Sequence, residues 1–241
     1  MFKTIKNIKI NYKQYGEGKD VVLLHGWGQN IQMMEPLGNL LNSKYKVTII
    51  DLPGFGLSEE PDFNFDLYDY VEVLKELFDY LKIKNPVLVG HSFGGRLGII
   101  YASKYKVSKL VLFGAPCVRH KPKVKKSFKQ RIFNFIKKYK IFSPLVEEMK
   151  KHIGSVDYRN ATPVMRNVLV RTVNEDLSEY AKQIKCPVLM IWGDKDTAAP
   201  VEHAKELDSL LNNSKFIILS GTHYCYLENL QVVYSHLMEF L

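Results

Sequence analysis

Long apolar runs are missing from this chain: nowhere in its 241 residues do about 18 apolar residues follow one another, the length needed to cross a bilayer. The amino terminus, MFKTIKNIKINYKQYG, alternates Lys and Asn with Ile and so lacks the continuous apolar core of a secretion signal. A cytoplasmic protein is expected. Cysteine is scarce: Cys117, Cys186 and Cys225 are odd in number, far apart and without C-x-x-C spacing, so they offer neither a disulfide framework nor a zinc-ligand pattern and are expected to be buried thiols. Glycine (15) and proline (10) are too few for a collagenous or disordered chain. With 46% hydrophobic and 24% charged residues the composition is that of one globular domain, and a chain of this length buries about 70 to 75% of its unfolded surface without a covalent staple.

Acidic residues are absent from Arg119 to Lys140, where ten basic residues stand. The net charge of +9 therefore belongs to that segment, and the rest of the chain is close to neutral.

Short apolar runs recur along most of the remainder. Val21 to Leu24, Val47 to Ile50, Val87 to Val89, Lys109 to Phe113, Val188 to Trp192 and Phe216 to Leu219 are aliphatic on both faces, as strands covered by helices must be. Helical spacing lies between them, as in Leu67, Tyr70, Val71, Leu74, Leu77, Phe78 and Leu81, and again in Leu97, Ile100 and Tyr101. The alternation predicts an α/β fold with a doubly wound, mostly parallel sheet. Ile5 to Tyr15 reads as one or two added antiparallel strands, with a turn at Gly16 to Gly18. From Cys117 to about Asp176 no strand-like run occurs, which predicts a helical cap at the carboxyl edge of the sheet, inserted before the strand that precedes Asp196. The expected division is a core of residues 1–116 and 177–241 with a cap at 117–176, one domain with a lid.

Chemistry concentrates in three places. Gly90-His-Ser-Phe-Gly94 is G-x-S-x-G between a predicted strand and a predicted helix, the context in which a strained serine is lifted above a sheet. Ser92 needs a base, and the base needs a group that fixes its tautomer. Gly193-Asp-Lys-Asp196 and Ser220-Gly-Thr-His223 supply them after later strands, in the order serine, acid, histidine. Asp194 and Asp196 share one loop and either is a candidate acid. Phe128, Ile132, Phe135, Ile136 and Tyr139, interleaved with Lys125, Lys126, Lys129, Lys137 and Lys138, predict a basic amphipathic helix in the cap.

These residues resemble the α/β-hydrolase superfamily of serine hydrolases. His25-Gly-Trp-Gly28 is similar to its H-G-x-G oxyanion loop, Asp51-Leu-Pro-Gly-Phe-Gly-Leu-Ser58 to its D-x-x-G-x-G-x-S loop, and Gly193 to Asp196 to its G-x-x-D acid loop. The resemblance implies Asp196 as the acid, His25 as structural, and the Trp27 and Phe93 amides as the oxyanion hole, with Trp27, Phe93, Arg96 and Tyr224 against substrate. It implies a serine hydrolase cleaving a carboxylic ester or thioester through an acyl-enzyme, with no cofactor or metal. Activity then rises with pH as an imidazole, ordinarily near 6.5, loses its proton. Ser92-Phe-Gly-Gly-Arg96 also resembles the elbow of the pyruvate-eliminating synthase of the menaquinone pathway, in which the arginine helps hold an anionic substrate. The H-G-W-G loop with a basic cap resembles pimeloyl-carrier-protein methyl esterases. Carbon–carbon bond hydrolases and non-catalytic ligand-binding members of the superfamily complete the alternatives. The expected partner is a small acyl substrate, with an acyl carrier protein or CoA ester as an acidic partner for the basic cap. Nucleic acid is not expected, and neither is a membrane surface.

Overall fold

A computed structural model of the chain describes residues 1–119 and 155–241. Strands β1 (Phe2–Ile5), β2 (Ile8–Tyr15), β3 (Lys19–Leu24), β4 (Tyr45–Ile50), β5 (Val87–His91), β6 (Lys109–Phe113), β7 (Val188–Gly193) and β8 (Ser214–Leu219) form one eight-stranded sheet. Its order is β1-β2-β4-β3-β5-β6-β7-β8; β1 and β2 join antiparallel, and every pairing from β4 through β8 is parallel. The fold is thus α/β with a doubly wound, mostly parallel sheet. The six apolar runs coincide with β3 to β8, and β5 and β7 are buried along their whole length, because parallel strands linked by crossover helices are covered on both faces. Alternate residues supply two cores. Leu24, Leu88, Leu110, Leu112 and Trp192 face one way, while Leu23, Val89, Val111, Phe113 and Ile191 face the other.

The described helices are α1 (Ile31–Leu41), α2 (Leu67–Tyr80), α3 (Phe93–Lys104), α4 (Val156–Asn160), α5 (Pro163–Val173), α6 (Ser178–Ala181), α7 (Val201–Leu210), α8 (Cys225–Glu228) and α9 (Leu230–Phe240). Local chemistry starts several of them. Asp66 and Asp69 form a reciprocal capping box on α2, Asn30 caps α1, and α5 opens with Thr162 accepting from the Met165 N–H while Pro163 occupies the first turn, where its missing N–H costs nothing. The stripe of apolar residues on α2 is buried against α3 and the sheet.

The expected turn at Gly16 to Gly18 follows β2, and a second turn lies before it. The chain reverses between β1 and β2 at Lys6 and Asn7, both with positive φ (47° and 63°), and Gly16 and Gly18 connect β2 to β3. Two consecutive positive φ angles are the signature of a two-residue hairpin, and Asn tolerates them where Lys ordinarily does not, which hid the turn from composition. The basic amphipathic helix expected around 128–139, and with it His120 and His152, lies outside the described residues. Residues 155–181, on the return from the insertion, are helical. Among the described residues no helix is long and apolar enough to cross a membrane.

Candidate active site

Strand β5 passes into α3 through one residue. Ser92 makes the whole turn, at φ 49° and ψ −109°, a conformation that costs an L-residue about 1 to 3 kcal/mol and persists only where the surroundings enforce it. Its N–H donates to the Phe113 carbonyl on β6 (2.8 Å), and its own carbonyl accepts from the Arg96 N–H (3.0 Å). The flanking glycines follow from close approach. A side chain at Gly94 would strike the Leu24 and His25 carbonyls at 2.4 and 2.6 Å, and one at Gly90 would strike the Gly95 nitrogen at 2.5 Å. Ser92 remains half-buried, presented at the carboxyl edge of the sheet.

Asp196 and His223 come from the loops after β7 and β8. The Asp196 Oδ2 lies 2.7 Å from the His223 Nδ1, and since a carboxylate only accepts, Nδ1 carries the proton and Nε2 is left as the basic nitrogen. The other oxygen of Asp196 accepts from the Ala198 and Ala199 amides (2.9 and 2.7 Å), so the carboxylate is fixed from both ends while only 5% exposed. Asp194 is exposed and accepts instead from the Gly221 N–H (2.9 Å), holding the histidine loop and not the histidine. Gly114, directly after β6, makes room for the pair: a side chain there would meet His223 at 3.0 Å and Asp196 at 3.1 Å. Because Ser92 is bonded to Phe113, the neighbour of Gly114, the elbow and the Asp196–His223 pair converge on one point of the sheet edge.

His91 adds a support that sequence reasoning missed. Its Nε2–H donates to the His223 carbonyl (2.9 Å), and its ring lies 4.7 Å from the His223 ring. Burial pushes its pKa down to about 3, with the neighbouring His223 acting in the same direction, so it is a neutral donor and not a second base. No periodicity signals this role, because position 91 is a free position of G-x-S-x-G. Tyr224, expected at the substrate, is half exposed and meets the His223 ring edge-on at 5.8 Å.

The loop after β3 carries His25 to Gly28. His25 is fully buried, its Nδ1–H donating to the Gly26 carbonyl (2.7 Å) and its Nε2 accepting from the Leu52 N–H (3.0 Å). Burial lowers its pKa to about 4, opposed by that carbonyl and by Asp51, so it is a neutral cross-link between the loops after β3 and β4. Among the described residues none accepts from the Trp27 or the Phe93 amide. Trp27, Phe55 and Phe93 pack edge to face, with centroids 4.9 Å (Trp27–Phe55), 5.2 Å (Trp27–Phe93) and 6.2 Å (Phe55–Phe93) apart. Trp27 and Phe55 also line a cavity of about 290 Å³, together with Glu60, Asp157, Asn160, Ala161, Thr162 and Met165. Phe55 and Met165 were not legible as pocket residues, since each reads locally as a loop or core side chain.

Arg96, which the resemblance sets against substrate, is buried beside main-chain carbonyls. Its guanidinium is 7% exposed and donates to the carbonyls of Pro116, Thr172 and Glu175 (2.9, 3.0 and 2.7 Å). A helical position one turn past the elbow turns the side chain away from Ser92, toward the junction between β6 and the return helices.

The sheet order and the strained serine between strand and helix define an α/β hydrolase. The family model described as alpha/beta hydrolase fold matches residues 20–140, and the chain belongs to that family. It is 26% identical over 263 aligned positions to the AB hydrolase superfamily protein YisY of Bacillus subtilis, spanning 99% of this chain and 97% of that protein. It is 27% identical to the pimeloyl-[acyl-carrier protein] methyl ester esterase of Aliivibrio fischeri, over 94% of this chain and 95% of the esterase. Among solved structures, the enol-lactonase of Burkholderia xenovorans superimposes with a TM-score of 0.80 at 20% identity, covering 100% of this chain and 99% of the lactonase, a likeness of fold.

Proposed function

We propose that the protein is a serine hydrolase that cleaves a carboxylic ester or thioester of a small to medium acyl group. The observation that carries this reading is the 2.7 Å Asp196–His223 pair beside a serine held at φ 49°. His223 Nε2 takes the Ser92 proton as Oγ attacks the acyl carbon, and the carbonyl oxygen, now negative, accepts from the Trp27 and Phe93 amides. Collapse of the tetrahedral intermediate breaks the bond to the alcohol or thiol, which leaves with the proton from His223. Water, deprotonated by the same nitrogen, attacks the acyl-enzyme and releases the acid and Ser92. Asp196 holds the imidazole in the required tautomer and stabilises its cation.

The cavity of about 290 Å³, at the small end of the ligand-site range, sets Glu60, Asp157 and Asn160 beside Trp27, Phe55 and Met165 and suits a small acyl group. A relative named for a carrier-protein methyl ester supports ester chemistry, and the basic segment Arg119 to Lys140 suits an acidic acyl carrier protein or a CoA ester as partner. The pyruvate-eliminating reading draws less on Arg96, because three of the guanidinium N–H groups donate to main-chain carbonyls and only its Nε is without a partner among the described residues. The test is hydrolysis of p-nitrophenyl esters from acetate to dodecanoate, with Ser92→Ala as control. Turnover that peaks at one chain length and falls at least about a thousandfold in the control supports the proposal. Turnover that survives in Ser92→Ala, or a folded protein whose Ser92 neither turns over esters nor reacts with a fluorophosphonate, overturns it.

A further inference from the structure

Acyl transfer makes no use of Arg96, yet this is a buried guanidinium, and burying a charge is costly unless its donors are met. Burial accordingly depresses its affinity for the proton. Its Nε has no partner among the described residues, and the three bonds that its Nη atoms do make all go to one junction. Nη1 donates to the Pro116 carbonyl, where the chain leaves the sheet after β6, and Nη2 donates to the Thr172 and Glu175 carbonyls, where it comes back. One side chain therefore ties both ends of the segment between β6 and β7 to the helix that begins beside the nucleophile. Thr172 and Glu175 flank the carboxyl terminus of α5, the negative end of its dipole, where a cation is favoured. Two further bonds close the same junction: the Leu177 N–H donates to the Cys117 carbonyl (3.1 Å), and the Arg119 N–H donates to the Asp176 carboxylate (2.9 Å).

The other end of α5 reaches the pocket. Met165, in its first turn, presses its thioether into the space that a side chain at Gly54 would occupy, and with Ala161 and Thr162 it lines the same cavity as Trp27 and Phe55. A helix is stiff along its axis, so fixing its carboxyl end fixes that part of the lining. We propose that Arg96 is a positioning residue for acyl-chain selection: by clamping the carboxyl end of α5 and the exit at Pro116 to α3, it sets how far Met165 stands from Trp27 and Phe55. A lysine places one nitrogen where the guanidinium places a fork, and cannot hold the three carbonyls in this geometry.

The proposal rests on the acyl-transfer reading for its ester readout only, and two other readouts stand without it. Arg96→Gln and Arg96→Lys are compared with the unmodified protein in kcat and KM across the p-nitrophenyl ester series. They are also compared in the rate at which Ser92 is labelled by alkyl fluorophosphonates of increasing chain length, and in alkylation of Cys117 by iodoacetamide. Cys117 is fully buried at the clamped junction, and burial raises its pKa to about 12, so it reports opening there; Cys225, buried near the histidine loop, is the internal reference. In Arg96→Gln, kcat for the acetate ester should stay within about threefold, while the kcat/KM ratio between the preferred and the longest chain falls by about tenfold or more, through KM. Fluorophosphonate labelling should lose the same chain-length preference, and Cys117 alkylation should rise at least about tenfold with Cys225 unchanged; Arg96→Lys should lie between. Unchanged selectivity, or unchanged Cys117 reactivity, overturns the proposal, as does a uniform loss of kcat across the series with Cys225 exposed as well, the result of general destabilisation. If the unmodified protein turns over no ester, the functional reading fails, and labelling selectivity and Cys117 reactivity still decide the clamp.

Discussion

Two aspartates stand two positions apart on one loop, and the hydrogen bonds separate them. Asp196 faces inward to His223, whereas Asp194 braces Gly221 from the solvent side. Asp196→Asn should lower kcat by at least about a hundredfold, because the imidazole loses both its tautomer lock and its counter-charge, while Asp194→Asn stays within about threefold; steady-state kinetics on the two variants distinguishes them, and a reversed order would reassign the acid. At the elbow, Gly94→Ala puts a methyl group on two carbonyl oxygens and should destabilise by about 3 kcal/mol or more, read as a shift in the urea midpoint at constant slope. Motifs named these residues, because a nucleophile elbow and its partners need particular side chains at particular spacings. They did not name His91 or Gly114, whose roles arise from which loop stands opposite them.

At the scale of elements, strands were legible wherever both faces are apolar, and helix α2 wherever its stripe repeats. Its start is written locally as well: the Asp66 carboxylate accepts from the Tyr68 and Asp69 amides (2.9 and 3.2 Å). Asp66→Ala should cost about 1 kcal/mol and Asp66→Asn only a few tenths, by equilibrium denaturation, since Asn retains the acceptor. Helix α1 was harder to read, because Pro36 and Gly38 interrupt it; Gly38 lies under the Tyr15 hydroxyl and Ile49, where a larger residue would collide. The β1–β2 turn at Lys6 and Asn7 was not legible, because that pair is not a strong turn signal and strand pairing imposes it, whereas the glycines at 16 and 18 marked the turn after β2.

The whole molecule carries a pH dependence set by two imidazoles that folding keeps neutral. His25 and His91 titrate at about 4 and about 3 in the folded protein, below the ordinary 6.5 of the unfolded chain, so the unfolded state binds more protons across that interval. Their contribution is complete above about pH 6.5 and is lost as pH falls toward the folded values, by up to about 3 kcal/mol for His25 and about 5 kcal/mol for His91. The melting temperature should therefore fall from pH 7 to pH 4, and His25→Asn or His91→Gln, though less stable at pH 7, should show a shallower fall; an equal slope in the variants would place the acid sensitivity elsewhere.

Sequence alone determined the sheet, the strand–serine–helix turn and the order in which Ser92, Asp196 and His223 arrive, because each is written in local periodicity or in residues adjacent along the chain. The G-x-x-D resemblance pointed to Asp196, and tertiary structure set it on His223 with Asp194 on Gly221; only tertiary structure carried the Arg96 guanidinium to the Pro116, Thr172 and Glu175 carbonyls and brought Met165 to the cavity that Trp27 lines. Those outcomes depend on where distant loops meet, and a guanidinium bonds whichever acceptors packing brings within about 3 Å.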